Sequence, residues 1–538
     1  MPVERSWKLN IKYCSRFSQS VLNDMVAGKT VVNADVRKLR AGRKTAVVSL
    51  APKNLPDVCL REFSVSPLNL FRSFFFPYGK KEWQTARCLR DRDVPAVYPI
   101  AFGVEKNMGF IRKTYLVSEK ITRAVTVKAF IETNPDADLS QRKRFIRAFS
   151  EFILQIHMAG VLHTDLNWEN IFVSAGPGGE YRFFLSDLHR VRLKHSIPLN
   201  LRLSNLALLN TSFYQKTSVR GRTAFLNHYL KSFIKTGDMM PRIREIINSE
   251  TKLILLKKWK KQVKRCLQEN RDFTQIAFEN LKGWVCRPLA DGGVAQMKNP
   301  EMLFQDSRAR ILKRSARSAS LLFPDVAGAP GFYLKRYRVK GLWNVLKDGV
   351  RPSRAKKSWV ASNVLMARNI PTPRPILFLE KKHFLFTPES YFMTEALPKA
   401  LTLASYMDQV FQSLPVTAKR RVLRDTALQV RKLHDNGIRH RDLKATNILI
   451  SRNVPLKLWF ADLDAIAVSD ALSLSECSKD LARLNCSFLD RSVLSASERL
   501  YFLKTYLGRE KREELKKRWH SVVFFTRLKL KKSNRAFC

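Results

Sequence analysis

The chain has 538 residues, more than a single hydrophobic core usually fills, so two or more domains are expected. Its 45% hydrophobic and 27% charged residues are ordinary for a folded protein and exclude the low-hydrophobicity route to disorder. Against 46 Asp+Glu stand 97 Lys+Arg, a formal charge of +51 that calls for an anionic partner; nucleic acid, anionic lipid and phosphorylated glycolipid satisfy it equally.

The eight cysteines, Cys14, Cys59, Cys88, Cys266, Cys286, Cys477, Cys486 and Cys538, form no C-x-x-C pair and no Cys/His grouping at zinc spacing. They read as reduced thiols of a cytosolic protein. The opening segment MPVERSWKLNIKYCSR has no apolar run behind its charges, and no stretch of about 18 consecutive apolar residues occurs. Neither secretion nor membrane spanning is expected.

In chain order, the first elements are strand-like: TAVVSL at 45–50 and VCLREF at 58–63 are short, β-rich apolar runs. An aromatic stretch containing Phe74, Phe75 and Phe76, expected to cover the strands rather than enter an interface, leads into the helical KKEWQTARCLRD. After YLVSEKITRAVTV at 115–127, Phe145, Phe149, Phe152, Ile153 and Ile156 recur at helical spacing, and Gly160 stands where a terminating glycine belongs. There follow GVLHTDLNWENIFVS at 160–174, FFLSDLHRV at 183–191, SNLALLNTSF at 204–213 and the basic LLKKWKKQVKRC at 255–266.

The same series then repeats. SASLLF and FYLKRY answer the first strands, KKSWVASNVLMA the helix, and YFMTEALPKALTL the segment at 115–127. A helix with Val422, Leu423, Ala427, Val430 and Leu433 ends at Gly437 and opens GIRHRDLKATNILIS at 437–451; LWFADLDAI and KDLARLNCSF follow at 458–466 and 479–488. Order and spacing persist, so the chain is a tandem duplication of an α+β domain, with copies at 1–268 and 269–538. No Gly/Ser- or Pro-rich linker separates them. A second basic stretch, TRLKLKKSNR, lies at 526–535.

His-x-Asp-Leu-x-x-x-Asn, followed about 20 residues later by an apolar strand ending in Asp-Leu, resembles the catalytic loop and metal-binding segment of protein-kinase-like folds. The resemblance implies two tandem bilobal domains, each with a β-rich N-lobe and an α-rich C-lobe. It assigns Asp165 as base, Asn170 and Asp187 as metal ligands and Glu82 as the helix acid in the first copy. Arg61 stands there where a phosphate-pairing lysine belongs, and a planar guanidinium is no conservative replacement for an ammonium. In the second copy Asp442 is the implied base, Asn447 and Asp462 the metal ligands, and Lys335 the phosphate-pairing lysine, with Lys444 within reach of a γ-phosphate. Ser358 occupies the position of Glu82, so the usual lysine–glutamate pair cannot form at that position. Neither copy carries a clear G-x-G-x-x-G loop; AGRKTAVVSL and the SARSASLLF region are the nearest candidates.

Outside these motifs, DLHRVR, LFRSFFFPYGKKEW and LLNTSFYQKTSVRGRTAFLNHYL look like the heptose kinases of lipopolysaccharide core assembly, and NIPTPRPILFLE and TEALPKALTL are similar to the broader lipopolysaccharide (heptose/Kdo) kinase family. The resemblance implies an ATP- and Mg²⁺-dependent phosphotransferase acting on a sugar hydroxyl of lipopolysaccharide core or a related glycolipid. It places the protein in the cytoplasm, peripheral to the inner membrane, where a polybasic surface meets anionic lipid. A membrane-associated pseudokinase scaffold, with one or both halves inactive, is the competing expectation. Charge alone supports nucleic-acid binding, and with no RNP, zinc or helix-turn-helix signature none is expected.

Overall fold

The computed structural model describes residues 4–9, 19–27, 37–41, 45–50, 57–64, 78–107, 110–121, 123–135, 137–214, 216–231, 233, 239–287, 295–325, 331–339, 352–383, 386–451, 456–489, 493–508 and 512–534. Phe74, Phe75 and Phe76 lie outside them. The chain forms two compact units, residues 1–255 and 256–538.

Unit 1 begins with β1 (Glu4–Leu9), α1 (Gln19–Ala27), β2 (Arg37–Ala41), β3 (Thr45–Leu50), β4 (Val58–Ser64), α2 (Tyr78–Arg90), β5 (Pro99–Asn107) and β6 (Phe110–Glu119). The six strands make one antiparallel sheet in the order β1-β5-β6-β4-β3-β2. Tyr115 and Val117 of β6, Val58 of β4 and Ile100 of β5 pack with Leu22 and Met25 of α1 into a small core. The rest of the unit is mainly helical: β7 (Ala124–Thr126), α3 (Val127–Thr133), α4 (Leu139–Met158), short strands β8 (Val161–His163), β9 (Ile171–Ala175), β10 (Tyr181–Leu185) and β11 (Val191–Leu193), then α5 (Leu199–Phe213), α6 (Val219–Leu230) and α7 (Met239–Lys264).

Helix α4 starts at a capping box, in which Asp138 accepts from the Gln141 N–H at 2.7 Å while the Gln141 side chain accepts from the Asp138 N–H. Its Phe149, Phe152, Ile153 and Ile156 are buried, as their spacing implies, and anchor the larger core of the unit.

Unit 2 repeats this plan. Its sheet is built from β12 (Phe273–Phe278), β13 (Leu281–Cys286), β14 (Arg310–Arg314), β15 (Ser318–Phe323), β16 (Phe332–Arg338), β17 (Pro375–His383) and β18 (Phe386–Glu395), with α8 (Arg354–Ala367) before β17. The order β12-β13-β17-β18-β16-β15-β14 matches that of unit 1 strand for strand, with β13 in the place of β1 and β12 added at the edge. There follow β19 (Ala400–Thr402), α9 (Leu403–Gln409), α10 (Val416–Asp435), β20 (Ile438–Arg439), β21 (Ile448–Ser451), β22 (Leu458–Phe460), β23 (Ala467–Val468), α11 (Leu474–Cys486), α12 (Ala496–Leu507) and α13 (Arg512–Asn534).

The division at 255/256 falls inside α7, ahead of the strand onset that places a sequence boundary near residue 268. The reason is packing: Val263 joins the helical core of unit 2, and the Arg368 guanidinium covers the Trp259 ring at 5.0 Å. Among the described residues no helix is long and apolar enough to cross a membrane. The described cysteines are free thiols, and burial pushes Cys266 up to about 12 and Cys286 to about 11.

The chain leaves α4 and α10 through left-handed glycines, Gly160 at φ +73° and Gly437 at φ +67°. A Cβ on either would stand 2.1 Å from a backbone carbonyl oxygen, of Lys194 and Ser469 respectively, so backbone and not merely a side chain would have to yield. Gly437→Ala is therefore expected to destabilise unit 2 by roughly 1–3 kcal/mol or more, read as an earlier unfolding transition in denaturant titration, while an alanine at the exposed Gly178 should leave that transition in place.

Candidate active site

In each unit the strand cation meets the aspartate of the Asp-Leu motif, Arg61 with Asp187 and Lys335 with Asp462. The central residue in both is an aspartate in the left-handed region: Asp187 has φ +58° and Asp462 φ +56°, each two residues beyond an apolar strand and opening a short 3₁₀ turn. Few non-glycine residues adopt this backbone, and here it turns the chain from strand to helix in a single step.

In unit 1, Arg61 of β4 reaches across to Glu82 of α2, with Nη1 at 2.9 and 3.0 Å from the two carboxylate oxygens, and its Nη1 is 3.6 Å from Asp187. Glu82 is buried, and a buried charged group is costly without such a partner. His189, two residues after Asp187, completes the cluster with Nδ1 3.2 Å from Asp187 and 3.5 Å from Glu82. Glu82, Asp187 and His189 are close enough to share one cation. The loop after β8 is organised separately: Asn170 Nδ2 and Asn167 Nδ2 both donate to the Asp165 carbonyl, at 2.9 and 3.0 Å. Asn167 stands where unit 2 has Lys444.

In unit 2, Lys335 of β16 is buried and its Nζ donates to Asp462 while lying 4.9 Å from the Tyr337 ring centroid. Burial would raise the Asp462 carboxyl, but Lys335 and then Arg354 outweigh it and hold it below the ordinary carboxylate range. Asn447 Nδ2 donates to the Asp442 carbonyl at 2.9 Å and to its carboxylate at 3.2 Å, and Lys444 Nζ approaches that carboxylate to 2.9 Å. Asp442, Asn447 and Lys444 thus form one hydrogen-bonded group. Ser358 is buried in α8 with its hydroxyl 3.1 Å from Tyr337 Oη.

Both catalytic-loop candidates are fastened from beneath by a buried histidine that sequence reasoning passed over. His157 Nδ1 lies 2.6 Å from Tyr229 Oη and its Nε2 3.0 Å from Asn205, whose amide donates to the His163 carbonyl at 2.8 Å. His434 likewise sits 2.8 Å from Tyr506 Oη, but its other neighbour is Asp480, which accepts from the His440 backbone N–H at 2.8 Å. The recurring His before the terminating glycine was the available signal. Of the two glycine-poor loop candidates, the SARSASLLF region forms the β14–β15 hairpin, where Ser315 Oγ accepts from the Ser318 N–H. The other spans β2 and β3, and its connecting residues 42–44 lie outside the described residues.

His189 offers a direct measurement. Burial would lower it, but the neighbouring carboxylates of Asp187 and Glu82 reverse the effect and push it up to about 9. Its contribution to stability is therefore complete below about 6.5, its unfolded value, and is lost as pH rises through 9. Glu82→Gln removes one of the two carboxylates, so histidine-selective NMR titration should show the His189 resonance titrating at lower pH in the variant.

The chain matches the family model described as "Lipopolysaccharide kinase (Kdo/WaaP) family" twice, over residues 69–229 and 312–506, one match in each unit. Among curated proteins it is 25% identical over 167 residues to the lipopolysaccharide core heptose(I) kinase WaaP of Escherichia coli, covering 29% of this chain and 62% of that protein. It is 27% identical over 213 residues to the 3-deoxy-D-manno-octulosonic acid kinase of Vibrio cholerae, covering 38% of this chain and 85% of that one. A solved structure of WaaP in complex with acyl carrier protein is similar at 17% identity with a TM-score of 0.34, over 47% of this chain and 97% of that one. With matches across both units, the chain belongs to the lipopolysaccharide kinase (Kdo/WaaP) family.

Proposed function

We propose that the chain is an ATP-dependent kinase of a sugar hydroxyl on lipopolysaccharide core or a related glycolipid, built as two protein-kinase-like bilobal domains of which the second carries the turnover. The observation behind this is the unit 2 group: a buried lysine on a left-handed aspartate, beside a base, an amide ligand and a second lysine joined by hydrogen bonds. The Asp462 carboxylate and the Asn447 amide oxygen are hard oxygen donors of the kind Mg²⁺ takes, so the residues present fit that ion. When bound with the nucleotide, the ion would offset phosphate charge.

Within that reading Asp442 accepts the proton of the attacking hydroxyl, whose oxygen bonds to the γ-phosphorus as the bond to the ADP oxygen breaks. Lys444, 2.9 Å from Asp442, orients the carboxylate. Lys335 supplies the cation for the nucleotide phosphates once it exchanges Asp462 for them. Unit 1 is proposed as the binding half. Its Arg61 is committed to Glu82 and Asp187, and Asn167 leaves Asp165 without the lysine that Asp442 has.

The Asn substitutions of the two bases separate the halves. Asn is nearly isosteric with Asp but accepts no proton, so Asp442→Asn should lower phosphate transfer to extracted core oligosaccharide by roughly 10²–10⁴-fold while ATP affinity survives; Asp165→Asn should leave transfer intact. Loss of activity in Asp165→Asn alone would move the catalytic assignment to unit 1.

Attachment to an anionic membrane surface is part of the same proposal. On α7 the side chains of Lys257, Lys258, Lys260 and Lys261 are exposed while Leu255, Leu256 and Trp259 face inward. On α13 the largely exposed Phe524 and Leu528 stand one turn apart beside the exposed Arg527 and Lys531, a pattern suited to the lipid interface. Because exposed charges are screened beyond about 8 Å at physiological ionic strength, the protein should sediment with anionic vesicles at low salt and leave them at about 1 M salt.

A further inference from the structure

Helix α8 of unit 2 contains no Asp or Glu, so no residue of that helix can supply the carboxylate that pairs with the strand lysine in this fold family. Its sequence position for that acid, Ser358, is spent on a hydrogen bond to Tyr337. One turn earlier, however, Arg354 at the first position of α8 directs Nε and Nη2 to Asp464 Oδ2, both at 2.5 Å. Its guanidinium also covers the Tyr337 ring at 4.6 Å, on the same aromatic side chain that carries Lys335 Nζ. The Asp464 side chain is only 11% exposed, so its carboxylate is held in place while Arg354, 45% exposed, reaches it from the solvent side.

Asp464 lies two residues after Asp462, as His189 lies two residues after Asp187. Both units therefore join the residue two places beyond the left-handed aspartate to the long helix beside the sheet. In unit 1 the helix contributes the acid, Glu82, and the segment the cation, His189. In unit 2 the polarity is reversed.

We propose that Arg354 and Asp464 are positioning residues, whose ion pair holds α8 against the segment bearing Asp462 and so replaces the missing helix carboxylate. This rests on the reading of unit 2 as the catalytic half. Because Asp462 caps the 3₁₀ turn that contains Asp464, a fixed Asp464 fixes the direction of the Asp462 carboxylate, which Lys335 holds and a bound Mg²⁺ would take as a ligand. A released Asp464 would let that carboxylate wander, and misplacement of about 1 Å in such a group can cost on the order of 10²-fold in rate.

The test is a double-mutant cycle on the full chain with Arg354→Gln, Asp464→Asn and the pair combined, read as phosphate transfer from Mg-ATP to extracted core oligosaccharide. Each single substitution is expected to lower kcat roughly tenfold to a hundredfold, with the acceptor KM within about twofold of the parent because neither residue is assigned a contact with acceptor. The double variant should be no slower than the slower single. Full kcat in either single, or losses that multiply in the double, would overturn the pair as a unit. Amide hydrogen exchange across Arg354–Ala367 gives an arm independent of catalysis: it should quicken in each single and no further in the double, and unchanged exchange would overturn the proposal. Asp442→Asn separates the two ideas. If that variant turns over at the full rate, the assignment of catalysis to unit 2 fails by itself, and the exchange arm alone decides the role of Arg354 and Asp464.

Discussion

A cation buried at the junction of a sheet and a helix has to be paired, because an isolated ammonium or guanidinium out of water costs several kcal/mol even after relaxation. In unit 2 that cation is Lys335, 8% exposed, and in unit 1 it is the more accessible Arg61. Where each finds its partner decides the rest of the site. Lys335 has no acid on α8 and turns to Asp462, tying the segment after β22 to the sheet. Arg61 is forked and longer, and it spans Glu82 and Asp187 at once. Together with the differences at Glu82/Ser358 and His189/Asp464, this leaves one unit with a lysine on a single carboxylate, and the other with a cluster of four charged side chains.

Much of this was readable in the amino-acid order because the motifs are local. Asp-x-x-x-x-Asn closes on itself through Asn447 and the Asp442 carbonyl, a contact five residues apart, and its counterpart in unit 1 does the same. Helical spacing marked Phe149, Ile153, Val422 and Val430 as core, and the terminating glycines followed from the same periodicity. The pair between Arg354 and Asp464 was not readable. Its members are 110 residues apart, and aligning KKEW with KKSW directs attention to Ser358, one turn away from the residue that makes the contact. His189 stood in plain view within DLHRVR, but its meaning depends on Glu82, which only the folded sheet brings near.

The duplication also explains why two such different charge arrangements share one backbone. The apolar strands that precede Asp187 and Asp462, the helices that cross beneath them and the glycines that follow those helices are set by packing and by backbone sterics. None of these depends on which ionisable side chain projects into the cleft. The two units nonetheless differ at Arg61 and Lys335, at Glu82 and Ser358, at Asn167 and Lys444, and at His189 and Asp464, on one shared backbone plan.

The buried histidines carry the contrast one layer deeper. In unit 1 the fastening beneath the loop is electrically neutral: burial holds His157 down to about 4, and its partner Asn205 has no proton to gain or lose near neutrality. In unit 2 it is ionic, since Asp480 outweighs burial to raise His434, and the same carboxylate, held below its ordinary range, grips the backbone of His440. An amide grips with the same strength across the physiological range of acidity, whereas a carboxylate can be discharged. His157, neutral and buried, nonetheless takes up a proton more readily once unfolded, so acidification below about 6.5 draws first on unit 1, whereas the unit 2 pair yields only when Asp480 is discharged, and two halves descended from one ancestor need not share a common acid limit.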